Sequence, residues 1–154
     1  MSTTIASRLE ARGIALPDAA APAANYLPFV VCGNALYVSG QLPMREGTLA
    51  YTGHLGRDLD VAAGQEAALW CAVNILAQAA SALGELERVV RLVKINGFVA
   101  STPDFTDQHK VINGASDFFA DVLGERAGHA RAAVGMAALP MNAAVEIDAH
   151  FEIA

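Results

Sequence analysis

The segment VAAGQEAALWCAVNILAQAASAL, residues 61–83, sets the strongest limit on how this chain can fold. Gln65, Glu66, Asn74, Gln78 and Ser81 interrupt it, so it reads as a helix with a wide apolar face and not as a membrane span. Gly84 follows as a C-terminal cap. A face that wide must be covered by other elements, and the flanking sequence supplies strands.

FVVCGNALYVSGQ offers two apolar strands on either side of Gly33-Asn34, a pair suited to a tight hairpin. MREGTLAYTGHLGRDL reads as a loop with a short edge strand, held by glycines. ERVVRLVKINGFVAS alternates as a strand, with Arg91, Val93, Ile95 and Val99 on one face and Leu92, Lys94, Phe98 and Ala100 on the other. STPDFTDQHKVINGASDFFADVLG reads as a second long helix, with Ser101 or Thr102 as N-cap, Pro103 in the first turn and Gly124 at the end. RAAVGMAAL and AVEIDAHFEIA are two strands joined by Pro140-Met141-Asn142. Ahead of them all, TTIASRLEARG forms a short amphipathic helix ended by Gly13 and Pro17, and a Pro/Ala-rich connector follows. The expectation is one domain over residues 1–154, with the helix and connector at about 1–24. Its class is a two-layer α+β domain: one mixed β-sheet with two long helices on one face.

Such a layout leaves the other face of the sheet bare. Hydrophobic residues make up 54% of the chain and charged residues 17%, more apolar surface than one small core consumes, so a partner subunit is expected there. The net charge of −6, with ten scattered Lys and Arg, speaks against a nucleic-acid surface. Cys32 and Cys71 have neither CxxC nor zinc-ligand spacing, and the first residues lack the pattern of a secretory signal, so a cytoplasmic, reducing setting is expected. His54, His109, His129 and His150 show no metal-binding spacing. No dinucleotide, nucleotide or hydrolase motif occurs, and neither a metal nor a cofactor is expected.

The sharpest local feature is Arg131, with no Lys or Arg after it and few polar neighbours in HARAAVGMAALPMNAAVEIDAHFEIA. Arginine cannot shed its proton to ease burial, so it needs an internal carboxylate or an acidic ligand. In a hairpin centred near Met141, Arg131 and Glu146 lie at unequal distances from the turn and are not direct partners. Glu146 and Asp148 alternate outward from the apolar set. Two readings remain open for Arg131: a structural ion pair or solvated strand face, and a pocket for a carboxylate. Ser39-Gly40-Gln41 ends a strand where a hydroxyl and backbone N–H groups can face a ligand, or can simply turn the chain. Tyr26 is either a site residue or an apolar anchor with a wet tip. Asn113, beside Gly114 in a helix, is unfavourable for propensity and invites a tertiary role.

Taken together, LYVSGQLP, VKINGFVASTPDFTDQHKVINGASDFF and HARAAVGMAALPMNAAVEI resemble the RidA/YjgF family, first described as endoribonucleases and associated with hydrolysis of reactive enamines and imines. The resemblance covers about Ala21 to the end. Its specific part is R-x-x-V-x-x-A-x-L-P followed by V-E-I, here Arg131, Val134, Ala137, Leu139, Pro140, Val145, Glu146 and Ile147. GIALP and the helix before it are similar to a bacterial branch with an extended N-terminus. The resemblance implies a chorismate-mutase-like fold and a homotrimer with ligand clefts between subunits. It further implies that Arg131 binds the carboxylate of a 2-imino or enamine acid and that Glu146 places the water or shuttles a proton. Ser39, Asn113 and Tyr26 would line the site. Ala133 departs from the pattern, since many active members carry cysteine there. The rival reading is a non-catalytic trimer that binds a small carboxylate for regulation. An endoribonuclease is the poorest, for want of a basic groove or a His pair.

Overall fold

Asp60 starts the apolar helix: its carboxylate accepts the Ala63 N–H at 2.8 Å, and helix α2 runs over Val61–Leu83. Gly84 ends it at φ 79°, a conformation that costs glycine little. The computed structural model describes residues 3–154, so the first two residues of the expected domain lie outside the described part. Although long and apolar enough to cross a membrane, α2 has two thirds of its most apolar window packed inside the fold. Its polar residues have internal work. Asn74 Nδ2 donates to the carbonyls of Met44 and Trp70 at 2.8 and 2.7 Å, and Gln78 Nε2 donates to the Ala20 carbonyl at 2.8 Å. Asn74 thus ties the chain at Met44, and Gln78 the connector at Ala20, onto the helix.

Strands β1 (Phe29–Cys32) and β2 (Ala35–Gln41) form the expected hairpin, with Gly33 at φ 60° in the turn. Strands β3 (Met44–Arg45) and β4 (Thr48–Leu49) then make a two-stranded ribbon of their own, where a single edge strand was expected. Strand β5 (Val89–Ala100), helix α3 (Gln108–Leu123), strand β6 (Ala130–Met136) and strand β7 (Val145–Ile153) complete the fold after α2. The five-stranded sheet has the order β1-β2-β7-β5-β6, antiparallel throughout except for β5 with β6. Helices α2 and α3 pack on each other and cover one face, closing a core of Leu36, Ile75, Ile95, Phe119, Ile147 and Phe151. Helix α1 (Ile5–Ala11) buries Ile5 and Leu9 at its edge, and Arg12 pairs with Asp121 of α3. The other face carries Val30, Tyr37, Val93 and Val134, all more than 40% exposed.

Three expectations are corrected. First, β6 and β7 are not a hairpin: β5 lies between them, and β6 joins β5 in parallel through the α3 crossover. Pro140–Asn142 is a tight turn with Met141 and Asn142 in the left-handed region, at φ 58° and 61°, which carries the chain from the sheet's edge toward its centre. Second, α3 begins at Gln108. Ser101 and Thr102 are engaged elsewhere: their N–H groups donate to Met136 and Leu55 carbonyls, and Thr102 Oγ1 donates to Asp104. Third, the alternation in β5 is broken by irregularities between Val89 and Arg91 and between Leu92 and Lys94. An inserted residue shifts the period, so Leu92 and Ile95 are both wholly buried although three apart.

Candidate functional site

Arg131 stands on the edge strand β6, in register with Ile95. Residues paired across strands share a face, and Ile95 is buried beneath the helices, so Arg131 points to the helix side. There its Nη1 donates to Ser116 Oγ at 3.0 Å and its Nη2 to the His109 carbonyl at 2.9 Å. Both acceptors belong to α3. His109, Asn113 and Ser116 follow helical spacing and form one stripe, which places Asn113 on the same side of the helix. Among the described residues, ion pairs join Arg12 to Asp121, Arg57 to Asp58, Lys110 to Asp107 and Arg126 to Glu87. The recorded partners of Arg131 are a hydroxyl and a carbonyl, which orient a guanidinium without neutralising it. Ala133, two residues on, packs against the core.

Glu146 occupies the opposite face. It pairs with Phe98 in β5, which pairs in turn with Val134 in β6. Arg131 and Glu146 therefore lie on different sides of the sheet with β5 between them. Glu146 borders a cavity of about 560 Å³ walled by Ala20, Tyr26, Gly40, Leu42 and Met141. Its carboxyl is held above its ordinary value, first by burial and then by the nearby charge of Asp148. Ser39 precedes Gly40 of this wall but does not line the cavity: its hydroxyl donates to the Leu27 carbonyl at 2.7 Å and holds the connector in place. The five residues thus fall into two groups: Tyr26 and Glu146 on the cavity, with Ser39 next in sequence to Gly40 of its wall, and Arg131 with the Asn113 stripe. Among the described residues no group of three or more His, Cys, Asp or Glu comes together that could hold a metal ion.

Gly40 was legible only as a turn residue, yet its missing side chain makes room for Glu146. A Cβ built there would overlap Glu146 Oε1 and stand 2.9 Å from its Cδ. Gly40→Ala is therefore expected to push the carboxylate aside. Because the displaced group is the tip of a flexible side chain, Tm should change by less than about 3 °C, while any activity that needs Glu146 falls about tenfold or more. Melting curves and kcat together check this, and unchanged kcat would remove the contact from the site.

The raised proton affinity of Glu146 has a consequence for stability. Burial penalises its ionised form, so the unfolded chain loses this proton first as pH rises, and the folded state loses stability through the folded-state titration. Glu146→Gln has no such cost. The variant should melt about 1–2 °C above the wild type at neutral pH, a gain kept small by partial exposure, and level with it below about pH 4. Equal Tm at both pH values would show that burial of the charge is not felt.

Two further residues escaped sequence reasoning. Ser116 and His129 were apparent only as a helix residue and an isolated histidine, because their meeting with Arg131 depends on the crossover that brings β6 beneath α3. The wall formed by Ala20–Ala24 was likewise invisible in a connector without periodicity.

Residues 6–152 match the family model described as "YjgF/chorismate_mutase-like, putative endoribonuclease". Protein TCP17 of Trypanosoma cruzi is 52% identical over 153 residues, 99% of this chain and 96% of that protein. The Agrobacterium tumefaciens protein Atu1372 shares 60% identity with a TM-score of 0.92, covering 97% of this chain and 92% of that one. RidA from the Antarctic bacterium Psychrobacter sp. PAMC 21119 shares 30% identity with a TM-score of 0.63, covering 88% and 94%. A match over nearly the whole length, joined to the mixed sheet under two helices, shows that the chain belongs to the YjgF/RidA family.

Proposed function

We propose that this protein hydrolyses reactive 2-imino and enamine acids to 2-oxo acids and ammonia. The observation that carries this reading is Arg131: a partly buried, permanent cation, aimed by neutral acceptors, with N–H groups to spare for a carboxylate. It stands at the arginine of the family's R-x-x-V motif. A protonated imine is already electrophilic at carbon, so orientation and a placed water suffice, without a metal or a covalent nucleophile. Water adds to that carbon as Glu146 takes its proton. The proton then passes to nitrogen, and the carbinolamine collapses to the 2-oxo acid with loss of ammonia.

Since Arg131 and Glu146 lie on opposite faces, the two groups are brought to one substrate between copies of the chain, in a homotrimer covering the bare apolar face. The raised proton affinity of Glu146 suits a base that must also return the proton. Activity should therefore fall on the acid side at a pH higher than an unperturbed glutamate would give. The free thiols Cys32 and Cys71 go with a cytoplasmic setting.

The test is an assay in which an amino-acid oxidase generates 2-iminopropionate or 2-iminobutyrate and semicarbazide traps what remains. Suppressed semicarbazone formation is the expected result. Unaltered trapping across several side chains would refute the deaminase. The observation favouring the alternative, a carboxylate-binding regulator, is alanine at position 133.

A further inference from the structure

Ser116 stands between Arg131 and His129. Its Oγ accepts from Arg131 Nη1 at 3.0 Å and lies 2.9 Å from His129 Nε2, while His129 Nδ1 lies 2.6 Å from the Ala127 carbonyl oxygen. A carbonyl can only accept, so Nδ1 carries the proton. In the neutral ring Nε2 is then an acceptor, and the Ser116 hydroxyl donates to it. That choice turns the lone pairs of Ser116 toward Arg131. Every donor in the chain points one way, from Arg131 to Ser116 to His129 to the backbone. The imidazole also meets the ring of the buried Phe119 edge-on, with centroids 6.4 Å apart.

We propose that Ser116 and His129 are positioning residues that hold the Arg131 guanidinium in one orientation for a ligand carboxylate. The inference rests on the reading of Arg131 as the carboxylate clamp. A free arginine samples many rotamers and must surrender them on binding, whereas one already fixed loses less. The nature of the supports matters as much as their number. A carboxylate in the place of Ser116 would orient the guanidinium but also compensate its charge. A hydroxyl backed by an imidazole brings no negative charge, so it orients the guanidinium and leaves its charge for the ligand. The His109 carbonyl, 2.9 Å from Nη2, fixes the second nitrogen in the same neutral manner.

The experiment compares wild type, Arg131→Ala, Ser116→Ala, Ser116→Thr, His129→Ala and His129→Gln. It uses 2-oxobutyrate as the probe in calorimetry and 2-iminobutyrate in steady-state kinetics. Threonine keeps the hydroxyl, and glutamine keeps an acceptor near the place of Nε2. Ser116→Ala and His129→Ala are expected to weaken 2-oxobutyrate binding about tenfold and to raise KM by a similar factor, with kcat held within about twofold. Ser116→Thr and His129→Gln should recover most of that loss, and Arg131→Ala should show no binding.

Wild-type affinity in Ser116→Ala, with binding lost in Arg131→Ala, would overturn the positioning role and leave the clamp standing. Wild-type affinity in Arg131→Ala, or no binding by the wild type, would overturn the clamp and the positioning role together. Failure of the threonine and glutamine variants to recover affinity, with Tm lowered in all four, would make the network structural only and defeat the proposal.

Discussion

Arg131→Ala is expected to reduce kcat/KM for 2-iminobutyrate about 100-fold or more while leaving the fold intact. Truncating one member of a desolvated, hydrogen-bonded charge pair typically costs about 2–5 kcal/mol, and here that pair is the guanidinium with the substrate carboxylate. Little stability is at stake. The side chain is partly exposed on an edge strand, and its partners are one hydroxyl and one carbonyl of α3. Loss of these should lower Tm by no more than about 3 °C. Kinetics and melting therefore separate: a large kinetic loss with a small thermal one supports the clamp. Arg131→Lys should recover only part of the activity, because an ammonium cannot make the planar two-point contact. Full activity in Arg131→Ala would leave the carboxylate without its proposed partner.

The largest effect on stability is expected at Gly114. It sits where α3 crosses α2, and a Cβ built there would overlap the Gln65 carbonyl oxygen and stand 2.8 Å from the Gln65 Cα. These are backbone atoms of a helix that is itself packed into the core, so the contact cannot be relieved by turning a side chain. Helix propensity alone predicts that Gly114→Ala stabilises the protein by about 1 kcal/mol. Overpacking wins instead, with a net cost of about 2–3 kcal/mol and a fall in Tm of about 5–10 °C. The opposite signs make a thermal melt decisive. A rise in Tm would mean that the two helices separate at little cost, and with it the α3 stripe beneath Arg131 would no longer be rigidly placed.

Gly114 also illustrates what was legible in the sequence. Its neighbour Asn113 stood out as an odd residue for a helix interior, but the reason for glycine beside it lies in another helix. Elements with their own punctuation could be read end to end. Gly84 closes α2 where its sequence pattern stops, and Gly33-Asn34 turns the first hairpin. The layering under two helices followed from the apolar width of residues 61–83. What sequence reasoning lost were decisions made by distant segments. Ser101 and Thr102 have good capping chemistry but are used by Met136 and Leu55, so α3 starts later. RAAVGM and VEIDAHFEI look like consecutive hairpin strands, yet a parallel place beside β5 was open to the first and the centre of the sheet to the second. That exchange sets the face on which Arg131 and Glu146 lie, and with it the partners of Arg131.

The place of β7 bears on how the protein is made. It pairs with both β2 and β5, and among the described residues no other strand joins the two. As the chain leaves the ribosome, the β1–β2 hairpin and the β5–α3–β6 unit can each form from contacts near in sequence. They remain two half-sheets until Val145–Ile153 has emerged, and until then the buried faces of α2 and α3 have only partial cover. Folding is thus completed by insertion of a strand between preformed halves. A chain stalled before Val145 would be a substrate for chaperones, whereas one from which Val145–Ile153 has emerged presents all five strands of the sheet.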